Sequence, residues 1–96
     1  MTTEQEVLKA AAHIVAAFGS HSREEYFDCF APEATFMFHN APRLLASRLE
    51  YETEWAAWET EGFRVLSCTS HNGHVTLIGD NVAVFTHTVQ IGRAHV

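Results

Sequence analysis

The sequence predicts an α+β domain, and three observations support that prediction. Apolar residues recur at helical spacing near the amino terminus and again in the middle of the chain. From residue 63 to residue 91 the pattern changes to short apolar runs separated by turn-forming residues, which is typical of antiparallel strands. A length of 96 residues fits one domain with one core. We therefore expect a single domain, residues 1–96, with three helices packed on one face of a curved, mostly antiparallel sheet.

The first helix is predicted over about residues 4–18. Thr3 and Glu6 have the spacing of a capping box, and Gly19 follows the last apolar residue, where a glycine commonly ends a helix. The helix buries an apolar stripe because the following positions share one side: Val7, Leu8, Ala11, Ile14, Val15 and Phe18.

Two more capping boxes predict the other helices. Ser22 with Glu25 opens a short helix, and Ser47 with Glu50 opens a longer one over about residues 48–61. The longer helix carries an aromatic stripe at i, i+4 and i+7: Tyr51, Trp55 and Trp58.

The remaining apolar runs predict strands. Residues 34–40 are largely apolar at both alternate sets of positions, which suits a strand covered on both faces. Runs 63–71 and 74–78 flank Asn72-Gly73, a strong signal for a hairpin with a type I′ turn. A second turn, at residues 79–81, leads into a last strand over 82–91.

Charge and composition restrict the partners. The net charge is −6, and no two of the six lysines and arginines are adjacent, so neither nucleic acid nor an anionic membrane is an expected partner. The amino-terminal residues lack the basic region of a secretion signal. Two isolated cysteines have no metal-type spacing and suit a reducing compartment. We expect a cytoplasmic protein.

Three stretches resemble a known family: "YFDCFAPEATFMF" after the first helix, "EWAAWETEGF" at the end of the third, and "VTLIGDNVAVFTHTV" in the strands. They are similar to the SnoaL-like and DUF4440-like branch of the NTF2-like superfamily, over about residues 5–91. The resemblance implies a cone, in which a strongly curved sheet wraps round helices and leaves a deep apolar cavity. The family includes isomerases, dehydratases, cyclases and non-catalytic association domains, so the fold alone does not select a function.

The chain departs from the family pattern in two places. The family's sheet ends with a further long strand, whereas here Ile91 is followed by "GRAHV", so we expect that strand to be missing and the tail, residues 92–96, to be non-native. In the ketosteroid isomerase branch a carboxylate on the first strand is the base. Phe38 stands at about that position here, and we do not expect that mechanism.

Two histidines are candidates for catalysis, His87 first and His39 second. His87 lies among apolar residues on one face of the last strand, where its pKa can be tuned for acid–base work: Ala83, Phe85, Val89 and Ile91. A buried structural histidine, a histidine at a dimer interface and a ligand contact are the alternatives. His39 closes the first strand, so a rim or turn position is its alternative.

Several other groups have a structural interpretation. His71 and His74 should face each other across the predicted hairpin, but no third ligand is evident, so no metal site is predicted. Glu50 and Glu54, at i and i+4, are expected on a solvated face because their charges repel. The sequence contains no phosphate loop, dinucleotide motif or serine or cysteine nucleophile motif, so no cofactor is expected.

Two functions follow as hypotheses. The first is a pocket protein for a small hydrophobic ligand, which as an enzyme would move a proton without a cofactor, isomerase-, dehydratase- or cyclase-like. Its predicted ligand-binding residues are Tyr26, Phe36, Phe38, Trp55, Trp58 and His87. The second is a non-catalytic module that forms a homodimer through the outer face of its sheet, in which case the same rings only fill a core.

Overall fold

Three helices and a two-stranded antiparallel sheet make up the protein in the computed structural model, which describes residues 2–38 and 42–94. The helices are α1 (Glu4–Gly19), α2 (Arg23–Asp28) and α3 (Arg48–Thr60), and the strands are β1 (Arg64–Ile78) and β2 (Val82–Ala94). The α+β class and the three predicted helices are therefore confirmed.

Side-chain caps explain where two of the helices begin. The Thr3 hydroxyl accepts a hydrogen bond from the backbone N–H of Glu6 at 3.2 Å, and the Ser47 hydroxyl accepts one from Glu50 at the same distance. Each bond satisfies one of the free N–H groups of a helix start. The predicted cap at Ser22 is wrong, because its hydroxyl lies 2.8 Å from that of Ser20 and makes no cap bond.

The strand predicted over residues 34–40 is also wrong in its described part. Phe36 makes a single bridge with Leu45, and no longer ladder forms around it in the described residues. The segment is not covered on both faces, since Met37 is 81% exposed while Phe38 packs against the core. Burial therefore alternates along residues 34–38, but the apolar side chain of Met37 faces solvent. Residues 39–41 lie outside the described residues.

The predicted hairpin turn at Asn72-Gly73 is wrong, because β1 runs straight through it. A type I′ turn needs positive φ at both central residues, and only Asn72 has one, at 56°. The two residues together oppose one residue of β2, which makes the site a β-bulge. Because β1 continues, residues 64–71 form seven pairs with residues 88–94 of β2. In the predicted hairpin they would pair with residues 74–78 instead, which allows at most five pairs.

The turn predicted at residues 79–81 is confirmed. Ile78 pairs with Val82, so three residues connect the strands, and Gly79 has a φ of 71°, which a glycine adopts without strain. A second bulge lies at Leu66, between the pairs that Val65 and Ser67 form with β2. Both bulges place their extra residue in β1, and bulges bend the strand that carries them.

The sheet has an inner face towards α1 and an outer face away from it. His87, Val89 and Ile91 belong to the inner face, since they line a cavity together with residues of α1. This confirms the predicted common side of His87 and its apolar neighbours. The outer face is rich in threonine, and its residues include Thr69, His71, His74, Thr76, Thr86 and Thr88.

An aromatic core joins the helices to the start of β1. Trp55 is fully buried, and six ring centroids lie 5.2–6.2 Å from it: Phe18, His21, Tyr26, Phe27, Tyr51 and Phe63. Tilted and edge-to-face contacts of this kind stabilise the core beyond the area that they bury. The core therefore sits between the three helices and touches the sheet through Val65, which is 2% exposed.

His21 connects three elements although no role was predicted for it. It lies in the α1–α2 turn with a φ of 54°. Its Nδ1 accepts the backbone N–H of Val65 at 2.9 Å, so the ring proton is on Nε2, which donates to Glu59 at 2.7 Å. One side chain thus ties the turn to α3 and to β1.

None of the helices in residues 2–38 and 42–94 combines the length and the apolar character needed to cross a lipid bilayer.

Candidate functional site

A cavity of about 510 Å³ opens between α1, α3 and the inner face of the sheet. This volume lies within the range of pockets that hold small organic molecules. Its walls are mainly aliphatic and aromatic, and the residues that line it are Ile14, Val15, Phe18, Tyr26, Phe38, Tyr51, Trp55, Trp58, Phe63, Cys68, His87, Val89, Ile91 and Arg93.

Two tyrosines form a hydrogen-bonded pair at the helical side of the cavity. The Tyr26 hydroxyl, from α2, lies 2.9 Å from the Tyr51 hydroxyl, from α3. Burial raises the pKa of both phenols above their usual value. Both groups therefore stay protonated at every physiological pH and act as hydrogen-bond donors there.

Trp55 also borders the cavity, and it contributes a polar atom without a partner. Its indole Nε1 is buried, and within the described residues no atom accepts a hydrogen bond from it. A buried donor left without an acceptor costs about 1–3 kcal/mol. Because Nε1 itself has no accessible surface, this unpaired donor belongs to the packed core and not to the part of the wall that a ligand can touch.

His87 supplies the polar group on the sheet side. Its Nδ1 lies 2.7 Å from the hydroxyl of Ser70 on the neighbouring strand, and its ring centroid lies 4.7 Å from that of Phe85. His87 lies opposite the bulge at Asn72-Gly73, so it is between two regular pairs of the ladder and has no single paired residue on β1. The Phe85 ring covers Gly73, where an added Cβ would come within 3.2 Å of it. Ser70 and the bulge together set the position of the imidazole.

The cysteines do not offer an activated nucleophile. Cys68 lines the cavity, and burial raises its pKa. Burial, Asp28 and Glu25 raise the pKa of Cys29, whose Sγ lies 3.2 Å from the backbone oxygen of Glu25. A higher pKa means less thiolate at neutral pH, so neither thiol is suited to attack a substrate.

The predicted ligand-binding residues mostly meet at this cavity. Tyr26, Phe38, Trp55, Trp58 and His87 line it, whereas Phe36 packs against Phe30 and Tyr51 instead. Of the two catalytic candidates, His87 is present at the cavity wall, and His39 lies outside the described residues.

The sequence did not point to two hydrogen bonds of the site, nor to one group of ion pairs outside it. Tyr51 was placed on the right helical stripe, but its bond to Tyr26 joins residues 25 positions apart. The Ser70–His87 bond depends on the register of β1 and β2, which the predicted turn at Asn72 had broken.

Arg43 was not considered, yet its guanidinium lies 2.7 Å from Glu50 and 3.9 Å from Glu54, between the two carboxylates. Glu50 and Glu54 are partly exposed, as a solvated face requires, and an arginine screens their charges as well.

His71 and His74 do not face each other across a hairpin, since they lie on one strand and pair with Thr88 and Thr86. Residues 2–38 and 42–94 contain no group of three or more side chains suited to holding a metal ion.

No protein-family model, curated protein or solved structure matches the chain.

Proposed function

We propose that this protein binds a small, largely hydrophobic organic molecule in the cavity between α1, α3 and the inner face of the sheet. The observation that supports this proposal is an apolar cavity of about 510 Å³ whose polar groups are few. Sites for small molecules usually have this composition, because apolar walls provide affinity and a few polar groups fix orientation.

The aromatic wall favours binding because its rings are already held in place. Tyr51 contacts the rings of Phe36, Phe38 and Trp58 at 4.6–6.3 Å, besides the core rings around Trp55. A ligand that enters such a wall does not have to order it first, so less of the binding free energy is lost to side-chain ordering.

His87 is the acid–base group of this proposal. It is the histidine of the cavity wall, and an imidazole is the side chain that most often serves as a general acid or base. A cofactor-independent proton transfer on a bound ligand is the reaction that this arrangement supports best. We place the protein in the SnoaL-like branch of the NTF2-like superfamily as part of the same proposal, supported by the α+β order and by a cavity between helices and sheet.

An apolar probe tests the binding function directly. We expect 2-isopropenylnaphthalene to bind saturably with one molecule per chain, measured by quenching of tryptophan fluorescence. Val15→Phe narrows the cavity from α1 and should weaken binding at least about tenfold, since an overfilled site excludes the probe. Leu8→Phe is the matched control, because Leu8, expected on the buried stripe of the same helix, is 42% exposed; this variant should bind as the wild type does.

Two results would contradict the proposal. One is the absence of saturable binding at one molecule per chain. The other is equal affinity in the Val15→Phe and Leu8→Phe proteins, provided that circular dichroism shows both to be folded.

A homodimer formed through the outer face of the sheet is the second candidate. Three exposed aliphatic side chains near the β1–β2 turn favour it: Ile78, Val82 and Val84, each 45–55% exposed. In sedimentation velocity, Val84→Lys should shift a dimer towards monomer, whereas Leu8→Lys on α1 should not. His87→Ala separates the two functions, since His87 is on the inner face: it should weaken probe binding and leave a dimer of the outer face unchanged.

A further inference from the structure

A serine and a histidine form a hydrogen bond on the inner face of the sheet. The Ser70 hydroxyl lies 2.7 Å from Nδ1 of His87. Ser70 pairs with Val89, which lines the cavity, and paired residues of neighbouring strands have their side chains on the same face. His87 lines the cavity and both members of the pair are exposed, so a molecule held in the cavity can reach them.

The bulge of β1 leaves room for the imidazole at this position. Ser70 and His87 are diagonal neighbours, because His87 is two residues before the partner of Ser70 on β2. Opposite His87, β1 has the two residues Asn72 and Gly73. The Phe85 ring covers Gly73, and its centroid lies 4.7 Å from that of the imidazole. Ser70 and the Phe85 ring therefore both contact the imidazole and limit its rotation.

A serine hydroxyl becomes a nucleophile when a neighbouring base accepts its proton. The distance of 2.7 Å is within the range, about 2.6–3.2 Å, over which such a base acts. Nδ1 of His87 accepts the Ser70 proton when the ring's own proton is on Nε2. In this tautomer the pair has the geometry of a nucleophile and its base.

We propose that Ser70 and His87 transfer the acyl group of a carboxylic ester, with the apolar part of that acyl group held in the cavity. This inference rests on the proposed function, and it adds a reaction and a substrate class. The cavity wall favours an apolar acyl group, because Val89 and Ile91 follow His87 on the same face of β2 and line the cavity together with the rings of the helices.

The reaction needs only water as its second substrate. The Ser70 oxygen forms a bond to the ester carbonyl carbon while its proton passes to Nδ1 of His87. The carbon–oxygen bond to the alcohol then breaks, and His87 returns the proton to the departing oxygen. Water attacks the acyl-serine in the same way, with His87 first taking and then giving a proton. An ester and water thus become an acid and an alcohol.

The pair should select esters with a good leaving group. In a three-membered site, a carboxylate orients the histidine and stabilises its charged form. Among residues 2–38 and 42–94, no carboxylate forms a hydrogen bond or an ion pair with His87, whose described contacts are Ser70 and the Phe85 ring. An imidazolium without a carboxylate forms less readily, so we expect aryl esters and thioesters to react and amides not to react.

A chromogenic ester tests the reaction. We expect p-nitrophenyl hexanoate to release p-nitrophenol in a burst of about one molecule per chain, followed by slower hydrolysis of the acyl-serine. Mass spectrometry of protein quenched in acid during the burst should show one hexanoyl group per chain. Fragmentation of the peptide that carries it should place the group on Ser70.

Three variants separate the parts of the proposal. Ser70→Ala should slow the burst at least about hundredfold, the lower limit of what a positioned general base contributes. Ser67→Ala, which removes another exposed hydroxyl of β1, is the matched control and should react as the wild type does. Val15→Phe narrows the cavity, so it should lower kcat/KM for the hexanoate at least about tenfold more than for the shorter p-nitrophenyl acetate. Circular dichroism checks that each variant is folded.

The outcomes distinguish this inference from the function on which it rests. If 2-isopropenylnaphthalene does not bind saturably, the proposed function fails. If that probe binds but no burst occurs, or if the burst is equally fast in Ser70→Ala, the cavity function stands and the Ser70 nucleophile is rejected. If Val15→Phe slows the reactions of hexanoate and acetate equally, the acyl group does not lie in the cavity and the substrate class is rejected.

Discussion

The helices and the sheet of this protein are stabilised in different ways. Among the described residues, six of the seven buried hydrophobic side chains precede β1, and the seventh, Val65, is at its start. Of eleven large hydrophobic side chains that are exposed, seven belong to β1 and β2. The helical half is therefore held by packing of side chains, and the sheet is held mainly by its backbone pairs. The cavity lies where the two meet, so one wall is much more rigid than the other.

The largest effect should come from emptying the centre of the aromatic core. Trp55→Ala removes a side chain with 0% exposure and should lower the free energy of unfolding by about 3–5 kcal/mol. Val89→Ala, on the sheet wall at 40% exposure, should lower it by roughly 1 kcal/mol or less. Urea denaturation measures both, and equal losses would show that the two regions do not differ.

His21 should matter more than any exposed histidine of the sheet. His21→Ala leaves the Val65 N–H and the Glu59 carboxylate without this partner, and we expect a loss of roughly 2–3 kcal/mol. His71→Ala, on the outer face, should change stability by less than about 0.5 kcal/mol. Thermal unfolding of the two variants checks this, and a small loss for His21→Ala would mean that the turn is not tied to β1 through this ring.

The bulge of β1 allows a test inside the sheet. Asn72 has a φ of 56°, which a β-branched residue adopts only with strain, so Asn72→Val should destabilise the protein by about 1–3 kcal/mol. Asn72→Gly is the control, because glycine accepts this conformation, and it should be nearly neutral. The reverse order of the two variants in urea denaturation would contradict the positive φ of Asn72.

The smallest expected difference is between the alkylation rates of the two thiols, and added salt should reveal it. Both pKa values are raised, so iodoacetamide should alkylate both cysteines more slowly in the folded protein than in the unfolded protein at pH 8. Only Cys29 has carboxylates among the causes, Asp28 and Glu25, so added salt should speed its reaction and leave Cys68 nearly unchanged.

The raised pKa values of the two thiols also make the stability of the fold depend on pH. The folded state holds these thiol protons more tightly, so stability is constant below the ordinary thiol pKa and falls as the pH rises through it towards the folded value. Stability that rose over this pH range would contradict the direction of the shift.

Local sequence signals predicted the helices well and the sheet less well. Thr3 and Ser47 cap their helices within a few residues, so the pattern contains the whole interaction. Asn72-Gly73 is a local signal that long-range pairing overrode, because continuing β1 pairs more residues with β2 than a turn would. A local sequence pattern does not show which of these two pairings forms more backbone pairs.

The candidate site also has some features that local patterns predict and others that they do not. The Trp55 stripe and the inner face of His87 follow from periods of 3.6 and 2 residues, and both reach the cavity. The bonds that organise the polar groups, Tyr26 to Tyr51 and Ser70 to His87, join distant positions through the packing of α2 on α3 and through the strand register. No spacing rule predicts such bonds.

The tyrosine pair also gives the cavity a tolerance that a lone hydroxyl lacks. Because either phenol can donate to the other, rotation of the two O–H bonds exchanges their roles, so the O–H group that is not used within the pair is on α2 in one arrangement and on α3, 2.9 Å away, in the other, while every heavy atom stays where it is. For the proposed function this means that one arrangement of heavy atoms offers a donor at either of two positions about 2.9 Å apart.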